Sequence, residues 1–188
     1  METPDRLSAP DPATVPYRHL AIRYGAIWGG ISIISSLIGY LTDTSPSMPD
    51  NGSVTWIYSV IGIAVAVWVI TTAIRIDRDQ QLGGYISLGR CIGLGSLTGA
   101  ISGVIGAVFS FLYMTVINPG FKEQMLEAMQ QAWAEQGMTE EQIEMAMSMT
   151  AAFNPLSMSL MQVVAGALAG LVIGLIAGLF MKRERAII

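Results

Sequence analysis

Few side chains in this sequence have the type and spacing that chemistry requires. The run Met145, Met147, Met149 offers three thioethers, soft ligands of the kind that hold Cu(I). His19 and Cys91 are the single imidazole and the single thiol, by type a proton carrier and a nucleophile. Glu140, Glu141 and Glu144 bring three carboxylates close together, the raw material of acid–base catalysis. A last set is uncharged. Ser32, Ser36, Thr98, Ser102 and Gln162 stand inside long apolar stretches, where hydroxyls and an amide could line a path for a small solute.

Each set also has a plainer reading. On an α-helix Met145 and Met149 share a face while Met147 points away, so the sulfurs do not converge, and Met side chains readily fill irregular apolar surface. His19 has no evident acidic or nucleophilic partner, and Cys91 opens an apolar stretch in which a small apolar role outweighs catalysis. The three Glu residues suit the capping and dipole positions of a helix start. Interior hydroxyls commonly bond the preceding turn or a neighbouring helix. One Cys and one His exclude a disulfide framework and a Cys/His metal cage. No catalytic residue, metal site or cofactor is therefore expected, and the chain is not expected to be an enzyme. Its formal charge of -4 gives no general affinity for nucleic acid.

The elements that carry these residues follow from composition. Of 188 residues 52% are hydrophobic and only 13% are charged, against about 25% charged in ordinary globular chains. A mean hydropathy of +0.53 is too apolar for a soluble domain. Charge-free runs predict four transmembrane helices at about 22–42, 54–75, 90–117 and 156–181, each long enough for the roughly 20 residues that cross the hydrocarbon. They form a single membrane domain over 20–183. The first 19 residues, rich in Pro, read as a disordered cytoplasmic tail with no signal peptide, and 184–188 as a short cytoplasmic C-terminal end.

Nine of the ten Lys and Arg residues fall in the N-terminal segment, the second connection and the C-terminus; only Lys122 lies in the other connections. By the positive-inside rule both termini are cytoplasmic. Arg23 and Arg90 sit at the cytoplasmic edges, where they are expected to snorkel to the interface. No charged residue falls inside the spans away from their edges, and no Pro interrupts them.

Lipid tails are as apolar as Leu, so spans associate through close contact, and small residues every fourth position permit it. Gly95, Gly99 and Gly103 form such a ridge on the third span; Gly166, Gly170, Gly174 and Gly178 form one on the fourth. The favoured pairing is third against fourth, antiparallel, with a homodimer through the fourth as the rival. Gly25 and Gly29 give the first span a shorter ridge, and its resemblance to the third is more simply chance than duplication. The β-branched, aromatic second span (Ile57, Val60, Val65, Val67, Trp68, Val69) suits a lipid-facing helix.

Between the third and fourth spans, 119–153 reads as an amphipathic αα-hairpin on the outer face. Asn118-Pro119 opens its first helix, Gly137 ends it, and Thr139 to Gln142 supplies a capping box for the second. An apolar stripe (Phe121, Met125, Met129, Trp133) is expected to dock on the protein's own spans.

The ordered motifs resemble one family. Arg23-Tyr-Gly25 with Gly29 opens the first span, Gly83-Gly-Tyr-Ile-Ser-Leu-Gly89 leads into the third, and Tyr113 through Ile117-Asn-Pro119 closes it. The acidic Met-containing segment with Gly137-Met-Thr-Glu-Glu-Gln-Ile-Glu144 and a Gly-rich span ending in Lys182-Arg183 follow. Over about residues 18 to 183 this resembles the bacterial four-span membrane family known as domain of unknown function 4199. The resemblance implies a multi-pass protein of the bacterial inner membrane and carries over no catalytic residue. The sequence thus points to an all-α integral membrane protein acting as a non-enzymatic helix-packing or partner-binding module. Its partners would be the lipid bilayer and either a second copy or another membrane protein. A small-solute channel or transporter subunit acting as an oligomer is the alternative.

Overall fold

A computed structural model describes residues 14–42, 52–150 and 154–183. Most of the first connection and of the proposed tail, the end of the proposed hairpin and 184–188 lie outside the described residues. Six α-helices follow in order: α1 (Arg18–Leu41), α2 (Gly52–Ile76), α3 (Leu88–Leu112), α4 (Phe121–Glu135), α5 (Glu140–Thr150) and α6 (Pro155–Met181). No strand occurs among the described residues; a single antiparallel bridge joins Ile86 to Arg183.

Four helices are long and apolar enough to cross a membrane, over 24, 26, 30 and 27 residues. Only 22% to 28% of each apolar window is buried inside the protein. Large apolar side chains such as Trp56 (69%) and Phe180 (85%) therefore face outward, an arrangement that water would penalise and lipid would not.

The helices begin where local chemistry allows. Ser87 caps α3, its hydroxyl accepting from the Arg90 backbone N–H at 3.3 Å. Asn154 caps α6 in a reciprocal capping box with Ser157, and Pro155 occupies the first turn. Thr139 and Gln142 exchange the same pair of bonds ahead of α5. Asn118 behaves differently from expectation. It closes the preceding turn, its carbonyl accepts from the Phe121 N–H at 3.0 Å, and α4 starts at Phe121 behind Gly120 without a side-chain cap. Gly137 turns the chain between α4 and α5 at a φ of 79°, a conformation that favours glycine.

Helix α3 is the centre of the bundle. An added Cβ at Gly95 or Gly99 would run into the carbonyl oxygen of Gly170 or Gly166 respectively, and one at Gly103 would lie 2.7 Å from the Gln162 oxygen. From the other side, Gly174 meets the Cys91 oxygen at 2.7 Å and Gly178 meets Leu88 Cδ1 at 2.7 Å. Partner numbers rise on one helix as they fall on the other, so α3 and α6 are antiparallel. Both glycine ridges are consumed within this one chain, backbone against backbone except at Gly178, which meets side chains. Helix α1 takes another face of α3: an added Cβ at Gly25 would meet Ile101 at 2.8 Å and one at Gly29 would meet Ile105 at 2.9 Å, in parallel register.

Helix α2 is not wholly lipid-facing. Val69, Ile70, Ala73 and Ile74 are fully buried against Leu20, Ala21, Tyr24, Cys91 and Leu94, whereas Ile57, Val60, Val67 and Trp68 are exposed. Among its described side chains those of the C-terminal half enter the core, at the end of the bundle that also holds the start of α1, the α2–α3 connection and the end of α6. We call this the terminal end, and the opposite one the α4 end.

Candidate functional site

Two arrangements at opposite ends of the bundle hold the chemistry. At the terminal end, α2 does not stop at Ile76 but continues through a π-helical turn, Asp77–Gln81. The buried stripe of Ala66, Val69, Ile70, Ala73 and Ile74 recurs at the helical period. Asp77 occupies its next step and is fully buried. Its carboxylate accepts two bonds from Arg90, from Nε at 2.6 Å and from a terminal nitrogen at 2.9 Å. That second nitrogen also donates to the Val15 carbonyl at 3.0 Å, and the guanidinium lies 5.1 Å from the Tyr17 ring centre. Arg90 is 9% exposed, so the snorkelling role expected for it is wrong: the π turn carries an acid inside, and the paired charge is drawn in after it. Arg23 is exposed, over the Tyr24 ring.

His19 does have a partner. Its Nε2 lies 2.8 Å from Gln81 Nε2. Together with the Ile86 and Arg183 backbone pair, these contacts tie α1, the α2–α3 connection and the end of α6 into one knot. Cys91 is buried beneath it. Two ion pairs lie in the knot, Asp77 with Arg90 and Arg78 with Asp79.

The α4 end is different. A half-enclosed cavity of about 270 Å³ opens among α1, α3, α6 and the first turns of α4. Its polar lining is Ser32, Ser36, Ser110, Tyr113 and Gln162; its apolar lining includes Phe109, Met114, Phe121, Met125 and Met158. The Gln162 side chain lies over Gly106, whose added Cβ would sit 2.9 Å from Gln162 Oε1. Helix α3 again passes into a π-helical turn, Tyr113–Ile117. Tyr113 there makes edge-on ring contacts with Tyr40 at 5.6 Å and with Phe121 at 5.4 Å between centroids.

Of the five residues proposed for a polar path, Ser32, Ser36 and Gln162 line this cavity, and Thr98 and Ser102 do not. Thr98 is fully buried and donates to the Leu94 carbonyl at 2.7 Å; Ser102 is buried nearer the middle of α3. Ser32 donates to the Trp28 carbonyl at 3.0 Å. No hydrogen bond within the described residues engages the side chains of Ser36, Ser110, Tyr113 or Gln162. Ser32 also lines a second cavity of about 280 Å³ between α1 and α2, with Trp28, Ser35, Tyr58 and Ser59.

Helices α4 and α5 pack chiefly on each other. Phe121 is buried, Trp133 half-buried, and Met145 and Met149 are 67% and 74% exposed. The docking of α4 on the spans is thus concentrated at its root.

Residues 23–183 match the family model described as protein of unknown function (DUF4199), covering α1 from its second turn through α6. The chain belongs to that family. The matched stretch contains Asp77, Arg90, all seven ridge glycines and the entire lining of the α4-end cavity, while Val15, Tyr17 and His19 precede it. No curated protein matches the chain. No solved structure matches it either.

Sequence reasoning missed Asp77 and Tyr113 and left the interior hydroxyl of Ser110 out of the polar path. For Asp77 a signal exists, an acid on the continuation of a buried apolar stripe with an Arg thirteen residues on. Ser110 and Tyr113 follow Ser102 and Gly106 at helical spacing, but their meeting with Gln162 depends on the register that the glycine ridges set.

Proposed function

We propose that this chain is a non-enzymatic binding module of the membrane, with both termini cytoplasmic and the α4–α5 pair outside, and that the membrane is the bacterial inner membrane. One observation carries the reading: close packing separates the cavity at the α4 end from the terminal end. Below it lie the backbone contact of α3 with α6 and a core of fully or nearly fully buried side chains, from Leu94 and Thr98 to Leu20, Ala21, Ile70 and Ile74. A conduit needs a wetted route through both ends; a recess that starts at one face and stops supports binding instead. The knot at the terminal end supports it further, since a moving gate would have to break a buried ion pair each cycle.

The chemistry of the recess agrees with a role outside catalysis. Its lining has hydroxyls, an amide, aromatic rings and thioethers, with no carboxylate, imidazole or thiol among them. The glycine ridge of α6 is occupied by α3, so a second copy or a partner protein would meet other surfaces, such as the exposed Trp56, Val60, Ile63 and Val67 side of α2. Extraction in native lipid discs tests the module reading. A component that travels with the chain at fixed stoichiometry, and is lost when cavity residues are filled by Ser110→Phe, is the expected result; a chain that purifies with bulk lipid alone contradicts it.

A further inference from the structure

We propose that the α4-end cavity binds an uncharged lipid of the monoacylglycerol type, its hydroxyl and ester oxygens on Gln162, Ser110 and Ser36 and its chain leaving toward the bilayer. The inference deepens the module reading and rests on it. Charge decides the class first. No Asp, Glu, Lys, Arg or His lines the cavity, so a phosphate or ammonium headgroup would enter a low-dielectric recess without a counter-charge.

Hydrogen bonding decides the head. Ser36, Ser110, Tyr113 and Gln162 make no side-chain hydrogen bond among the described residues, and polar groups at membrane depth are costly unless paired. Three hydroxyls and an amide both donate and accept, which suits adjacent hydroxyls and an ester carbonyl on the guest. Shape and softness decide the rest. About 270 Å³ takes a glycerol head and the first carbons of a chain, not a whole lipid. Met114, Met125 and Met158 offer adaptable thioether surface for those carbons. Phe121 and Met125, at the root of α4, cover the head from the aqueous side.

The test is photo-cross-linking of the full chain in detergent with a monoacylglycerol bearing a diazirine near the ester, mapped by mass spectrometry. The expected result is cross-links concentrated on 106–125 and 158–162 and suppressed by unlabelled monoolein, but not by free glycerol or by phosphatidylglycerol at equal concentration. Gln162→Leu, matched in size, should lower site occupancy roughly tenfold, the loss of one to two hydrogen bonds. Labelling spread evenly over the outward face of α2, or equal competition by phosphatidylglycerol, overturns the proposal. Equal competition by glycerol overturns it too, showing a solute site in place of a lipid site. Because labelling is mapped on the unaltered chain, misfolding of the variant does not blunt the test. Solute flux through vesicles decides the module reading separately, so absence of lipid labelling without flux removes the ligand and leaves the module.

Discussion

The Asp77 carboxylate and the Arg90 guanidinium face each other through two parallel hydrogen bonds, 2.6 and 2.9 Å long, with the acid fully buried. Taking both charges out of water is expensive, and the pair is close to neutral overall only because each satisfies the other. Removing one partner therefore leaves the full desolvation cost of the other. Asp77→Asn is predicted to destabilise the fold by about 3 kcal/mol, read as an earlier midpoint in an SDS titration from mild detergent. The double variant Asp77→Leu with Arg90→Met should recover most of that loss. A double variant as unstable as Asp77→Asn alone would contradict the pairing.

The α3–α6 contact makes a contrast between glycines that composition cannot. An added Cβ at Gly170 strikes the Gly95 backbone, whereas at Gly62 it meets nothing within 4 Å. Gly170→Leu should cost several kcal/mol or abolish the folded bundle, and Gly62→Leu should stay within about 0.5 kcal/mol. The same unfolding midpoints compare them; equal effects would show that the ridge is merely compositional.

Phe121 is the root by which α4 is held, 6% exposed and edge-on to Tyr113. Phe121→Ala removes that anchor and with it an aromatic contact of about 1 kcal/mol beyond its area. Backbone hydrogen exchange over 121–135 should then quicken by at least an order of magnitude. Exchange in α3 and α6 should be unchanged. Unaltered exchange in α4 would mean that another contact holds it.

Membrane orientation is open to reporter fusions. A fusion after Arg78 should report the cytoplasm and one after Glu135 the opposite side, as the distribution of Lys and Arg requires. The same side for both would undo the proposed topology.

Four membrane-crossing helices were legible in the sequence because each consequence of the bilayer is local: an uncharged run of sufficient length records it. The Gly95 and Gly170 ridges were legible for the same reason, since a four-residue step is written along one helix. The buried pair was not. Asp77 and Arg90 lie thirteen residues apart across a connection, and a rule that counts charges at span edges treats both as solvated. Asp77 comes inside because α2 continues past Ile76 and puts the acid on the next step of its buried stripe. The cavity was half legible. Ser32, Ser36 and Gln162 stand out as polar groups in apolar runs, yet Thr98 and Ser102 look identical in sequence, and the register of α3 against α6 separates them.

The central claim is a recess closed at the terminal end. Purified chain reconstituted into liposomes, with stopped-flow light scattering after a glycerol or urea gradient, tests it most directly. Permeability equal to that of protein-free liposomes is expected, for the unaltered chain and for Gln162→Leu alike. Solute entry that rises with the amount of protein and falls in Gln162→Leu would contradict it and favour a conducting role for the same residues.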